Sequence, residues 1–166
     1  MLSETRALEL KQAATRTAAA LACERDGLVN WPTAADSYWA EQFPSRVQWC
    51  HGAPGVITSL WSLPPAERLD DLLRRAGELI WTAGPLRKGS GLCHGTAGNG
   101  FAFLALHRRF GDDVWIDRAY AFATHAIEQL DAADPRYSLW TGDLGTALYL
   151  QACLRGFEGI PSFDTF

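Results

Sequence analysis

The sequence predicts an all-α fold: an α/α toroid, a double-layered ring of helical hairpins with amphipathic helices outside and apolar ones inside. Three observations predict it. A Gly-x-x-Gly motif recurs, as "CHGAPG" at 50–55, "CHGTAG" at 93–98 and "WTGDLG" at 140–145. Apolar residues fall at helical spacing between the copies, and the stretch after each copy is apolar almost all round. Gly52 and Gly95 lie 43 residues apart and Gly95 and Gly142 lie 47 apart, the period of an array whose units bury their apolar faces on one another.

Taken in order, Leu10, Ala14, Ala18 and Leu21 mark a weakly amphipathic outer helix that stops before Asp26-Gly27. The connection from Leu28 to Gln48 reads as an ordered loop rich in aromatics, and strand signals are poor. "VITSLWSL" (56–63) is the first inner helix. Leu69, Leu72, Leu73, Ala76 and Ile80 mark the next outer one, with "ERLDD" and "RRAGE" on its wet face. "NGFAFLALHRRF" (99–110) is inner, Trp115, Ala119, Phe122, Ala126 and Leu130 are outer, and "GTALYLQACL" (145–154) is inner. A helix apolar on every side is expected to be buried on every side. This makes about three hairpins, a partial barrel formed by one domain over 1–166. Three hairpins leave an apolar flank at each end, to be covered by a second copy or another chain completing the barrel.

Composition narrows the function. A formal net charge of -4 with no basic cluster argues against a nucleic-acid partner. Seven tryptophans imply large buried surfaces or a surface awaiting a partner. "MLSETRALELKQAATR" carries charges throughout and has no apolar core of a signal peptide, and no stretch reaches the length of a transmembrane segment. A cytoplasmic location follows as the expectation, and there cysteines suggest metal or chemistry before disulfides.

The four cysteines are Cys23, Cys50, Cys93 and Cys153. Two of them open Cys-His-Gly motifs in register with the repeat. Each motif enters an inner helix, so adjacent hairpins bring Cys50 and Cys93 together at one end of the ring. Zinc takes thiolate and imidazole ligands, and a catalytic site keeps one of four positions open. Cys50, Cys93 and His94 supply three. His51 and His94 occupy equivalent positions, so spacing does not choose between them. The N-terminus of the following helix favours a thiolate. A single buried cysteine would more simply be a small hydrophobe, and a Cys50–Cys93 disulfide is the other alternative. Cys23 and Cys153 are expected to pack within helices. His107 and His125 are expected to be structural, and Phe101, Phe103 and Tyr149 to pack between the layers. A glycosidase would need two facing carboxylates, and the motif loops offer only Asp143.

"WCHGAPGV", "KGSGLCHGTAGN" and "SLWTGDLGT" resemble, in this order and spacing, the lanthionine synthetase C-like family, and in particular the C-terminal part of its eukaryotic-type members. The resemblance covers nearly the whole chain. It implies a toroid of about seven hairpins when complete, and zinc (Zn2+) held at Cys50, Cys93 and His94. The implied reaction is addition of a thiol, from glutathione or a peptide cysteine, to dehydroalanine or dehydrobutyrine in a peptide or protein, forming a thioether. Lys88 matches a position associated with glutathione binding. His51 would serve as the acid that protonates the enolate, or would orient the ligands. Three departures stand out: the family's upstream hairpins have no match, Thr141 stands where an acidic residue is usual, and Arg136 is near but not aligned with the family's arginine for glutathione. They suggest the alternative of a non-catalytic zinc- and glutathione-binding fragment that needs a partner chain.

Overall fold

In a computed structural model of the protein, residues 3–33 and 43–160 are described. Six helices appear among them: α1 (Glu4–Leu21), α2 (Ala53–Leu60), α3 (Glu67–Ala83), α4 (Thr96–Phe110), α5 (Asp113–Asp131) and α6 (Asp143–Arg155). A two-stranded antiparallel hairpin, β1 (Cys23–Arg25) and β2 (Leu28–Asn30), joins α1 to the loop before α2. Outer helices α1, α3 and α5 alternate along the chain with inner helices α2, α4 and α6, as the pattern predicts.

Helix α4 is the hub and packs against α2, α3, α5 and α6. Its residues Thr96–Leu106 are all buried, which is what an all-round apolar sequence requires. Outer helices α3 and α5 bury one stripe each, whereas on α1 only Ala18 is buried and Leu10, expected on its apolar face, is exposed. On α3, Leu69, Leu72, Leu73, Ala76 and Ile80 have no exposed surface, while Glu67 and Asp70 favour its N-terminus. On α5, Trp115, Ala119, Phe122 and Ala126 are buried, and Leu130 is half-buried. Between the layers Phe103 meets Phe122 edge-on at 5.0 Å and lies parallel to Trp115 at 6.3 Å, and Tyr149 donates to Ala119 O, while within the inner layer Phe101 meets Tyr149 at 5.2 Å. Polar anchors tie the layers: Arg109 at the end of α4 donates to Asp70 at 2.7 Å and to the carbonyls of Trp61 and Leu63.

Three expectations are corrected. Asp26 and Gly27 both take positive φ, 52° and 79°, and make the tight turn of the β hairpin rather than a helix stop, because that turn matches strand twist. Cys23 therefore lies in a strand, half-buried, not within a helix. Two of the inner helices are not buried on every side: on α2 Val56 and Leu60 are half-buried and Ser59 is exposed, and on α6 Gly145, Thr146, Tyr149 and Cys153 are buried but Leu154 is 87% exposed. Helix α6 ends the arc, with a neighbouring layer on one side only. Of the aromatic connection expected at 28–48, residues 34–42 lie outside the described part.

Candidate metal centre

The recurring glycines have one cause. A Cβ on Gly55, Gly98 or Gly145 would lie 2.1, 1.9 or 2.2 Å from the carbonyl oxygen six residues earlier, that of Trp49, Leu92 or Leu139. The first glycine of each motif behaves alike: Gly52, Gly95 and Gly142 lie against the carbonyls of Arg46, Gly89 and Arg136. Each inner helix thus begins on top of its own incoming loop, and only glycine permits that approach. The loop in turn satisfies the helix's first N–H groups. Thr96 N–H donates to Gly89 O at 2.9 Å, and Asp143 N–H to Arg136 O at 2.8 Å.

The first repeat differs. There Asn30, on β2 and fully buried, accepts from Ala53 N–H at 2.8 Å and donates to the carbonyls of Pro44 and Arg46 at 2.9 and 3.1 Å. Asn99 on α4 donates to Val47 O at 3.0 Å. Two buried amides therefore hold the segment that delivers Cys50.

Main-chain bonds stitch the three loops side by side. Cys50 N–H donates to Cys93 O at 3.0 Å, and Cys93 N–H donates to Trp140 O at 2.7 Å. Trp49 stacks on Trp140 with ring centres 4.9 Å apart. All three motifs meet at one end of the arc, as their register predicts.

Here the ligand atoms of Cys50, Cys93 and His94 all lie within 4.8 Å of one another, and each residue is half-buried. All four cysteines are thiols, so no disulfide joins Cys50 to Cys93. The cluster that the structure gathers contains His94 and not His51. The main chain of His51 closes a short bridge with Gln48, with N···O distances of 3.0 and 3.2 Å. Lys88 reaches the site indirectly: its ammonium donates to Gln48 Oε1 at 3.3 Å, and Gln48 Nε2 donates to Cys50 Sγ at 3.3 Å.

The donor set fits a divalent, zinc-like ion. Tetrahedral bonds of about 2.0–2.3 Å place ligand atoms roughly 3.5–3.8 Å apart, within the observed spread. Two thiolates would neutralise the double charge. Without a cation Cys93 resists ionisation: burial first, then the neighbouring Cys50 thiol, push its thiol up to about 11. A bound cation inverts that preference.

Two cavities open on the cluster from different sides. One, of about 110 Å³, is lined by His94, Lys88, Arg136, Trp140, Thr141 and Asp143 among others, so it is polar and carries both signs of charge. The other is an open groove of about 730 Å³ between α1 and α2, apolar, with Leu10, Ala14, Trp31, Trp49 and Val56 along it and Cys50 at its edge. Sequence reasoning did not single out Gln48, Asn30 or Asn99. The available signal was their position: a polar residue two places before a ligand cysteine, and amides flanking the motif stretches.

Fold and site together define a class: an arc of α-hairpins whose stitched loops gather two sulfurs and an imidazole at one rim. Residues 2–163 match the family model described as lanthionine synthetase C-like protein, and the chain belongs to that family. It is similar to a zebrafish (Danio rerio) protein named glutathione S-transferase LANCL1, 39% identical over 127 residues, covering 71% of this chain and 31% of the relative. It is also similar to the LanC-like protein GCL1 of Arabidopsis thaliana, 40% identical over 111 residues, covering 60% of this chain and 25% of that protein. The matched regions are thus a third or less of the length of these relatives. Among the described residues, no helix is long and apolar enough to cross a membrane.

Proposed function

We propose that this chain carries the zinc-holding part of an enzyme that adds a thiol, glutathione or a peptide cysteine, to dehydroalanine or dehydrobutyrine residues in the cytoplasm. The observation that supports this most is the meeting of Cys50, Cys93 and His94 within 4.8 Å at the rim. These three would hold Zn2+ and leave a fourth position for the incoming thiol. When bound, the ion supplies the charge that lets a thiol lose its proton near neutral pH. The name of the zebrafish relative supports glutathione as the thiol.

The chain's own residues then divide the work. Lys88, exposed at the polar cavity, offers a cation to a substrate carboxylate. His51, next to Cys50, supplies the proton. In the reaction the thiol sulfur forms a bond to the β-carbon, the double bond of the dehydroamino acid opens toward its carbonyl, and the α-carbon takes up a proton. The product is a thioether, and no oxidant or reductant is consumed.

A second reading, a zinc- and glutathione-binding unit inactive without another chain, is favoured by the apolar ends of the arc. Leu8 and Leu10 on α1 are 51% and 43% exposed, and Leu154 on α6 is 87% exposed. One experiment separates the two. Purified protein is incubated with zinc, glutathione and a dehydroalanine peptide, and the peptide is weighed by mass spectrometry. A thioether adduct above the zinc-free control supports transfer. Stoichiometric zinc that Cys93→Ala abolishes, with no adduct, supports the binding unit. Absence of zinc binding refutes both.

A further inference from the structure

We propose that Gln48 is a positioning residue that couples Lys88 to the ligand sulfur of Cys50. This rests on the reading of Cys50, Cys93 and His94 as a metal centre, and it deepens that reading.

The amide of Gln48 faces two groups of fixed polarity. A lysine ammonium can only donate, so the group it meets, at 3.3 Å, must be the amide oxygen Oε1. That choice turns Nε2 toward Cys50 Sγ, also at 3.3 Å, where it can only donate to sulfur. The cation on one loop thus fixes which end of Gln48 faces the sulfur on the next. The side chain has little alternative, because Gln48 is buried to 8% exposure and cannot rotate into open water.

The backbone holds the amide in place. Gln48 N–H donates to His51 O at 3.2 Å and His51 N–H donates to Gln48 O at 3.0 Å, so the two residues bracket Cys50 in a closed turn. Lys88 comes from the loop that leads to Cys93 and His94. Gln48 therefore ties the loop carrying one sulfur to the loop carrying the other two ligands. Partners of this kind, which hydrogen-bond a ligand atom and fix its direction, change metal affinity by about 10–100-fold when removed. A substrate anion that draws Lys88 toward itself also releases the lock on the amide, so occupancy of the cation is communicated to the sulfur.

The test uses cobalt in the 166-residue protein, with affinity read by competition against a chelating chromophore and the Cys–cobalt bond by its near-ultraviolet charge-transfer band. Gln48→Glu keeps the size and the Lys88 pairing but gives the sulfur no donor. Gln48→Leu removes both bonds. Each variant is expected to bind cobalt about tenfold more weakly and to shift the charge-transfer band, and Lys88→Met is expected to shift the band in the same direction by less. If Gln48 only glued the loops, Gln48→Leu would lower the melting temperature while Gln48→Glu kept the parent's affinity and band. That result overturns the assignment and leaves the metal centre standing. A parent protein that takes up no cobalt overturns the metal centre and the assignment with it.

Discussion

Replacing Gly98 with alanine sets two known effects against each other. In a helix interior, glycine to alanine normally stabilises by about 1 kcal/mol. At Gly98 the new Cβ would lie 1.9 Å from Leu92 O and 2.9 Å from Trp49 Cβ. Ordinary contact requires that carbonyl to recede by more than about 1 Å, and it belongs to main chain that the helix start grips: Ala97 N–H donates to Ser90 O at 2.9 Å. Overpacking of this kind costs about 1–3 kcal/mol and more where backbone is the obstacle. The clash wins, and a net loss of about 2–3 kcal/mol corresponds to roughly 4–12 °C in a domain of this size. Leu92 precedes Cys93, so the same displacement moves the Cys93 sulfur. Gly77→Ala is the control, since its Cβ would collide with Leu106 and Trp115 in the core, away from the rim. Thermal unfolding by circular dichroism and metal competition are measured on both. Gly98→Ala should lose stability and metal affinity together, and Gly77→Ala stability alone. A Gly98→Ala protein as stable as the parent would refute the account of the motif.

Other perturbations test the remaining supports. Asn30→Ala strands Ala53 N–H and two loop carbonyls; a loss of about 2–3 kcal/mol is expected in urea unfolding, with weakened metal binding because the Cys50 segment is released. Phe103→Ala empties a fully buried position facing Phe122 and Trp115, and should cost about 3–5 kcal/mol by the same measurement. Hydrogen bonds from Arg68 and then Arg75 hold the Glu24 carboxyl below its ordinary 4.5. Its contribution to stability is therefore full above that value and is lost as pH falls through the lower folded-state value. Glu24→Gln should lower the urea midpoint at pH 7 and match the parent in strong acid; a pH-independent difference would contradict the ion-pair account.

The helices were legible because burial writes a period into sequence. Leu69, Leu72, Leu73, Ala76 and Ile80 share one face and are all fully buried. The motif was legible as spacing, but its cause was not, since a carbonyl six residues back leaves no side-chain signature. Asp26-Gly27 carried a hairpin signal that the three-residue strands on either side were too short to reinforce. His51 and His94 could not be ranked because the repeat makes them equivalent; in the folded chain only His94 falls in the cluster with the two sulfurs. Asn30, Asn99 and Gln48 escaped notice because hydrogen bonding by a single buried amide has no periodicity. The helix-dipole argument for thiolates is narrowed as well: loop carbonyls already occupy the leading N–H groups, as at Thr96 and Asp143.

The three loops of the rim share a main-chain seam, and the residues at its repeating positions differ. Trp140 and Thr141 stand in the third loop where Cys50 and His51, or Cys93 and His94, stand in the others, yet the carbonyl at 140 still receives the Cys93 amide. The third loop thus keeps the main-chain seam while presenting neither sulfur nor imidazole, and its tryptophan ring instead braces the first loop through Trp49.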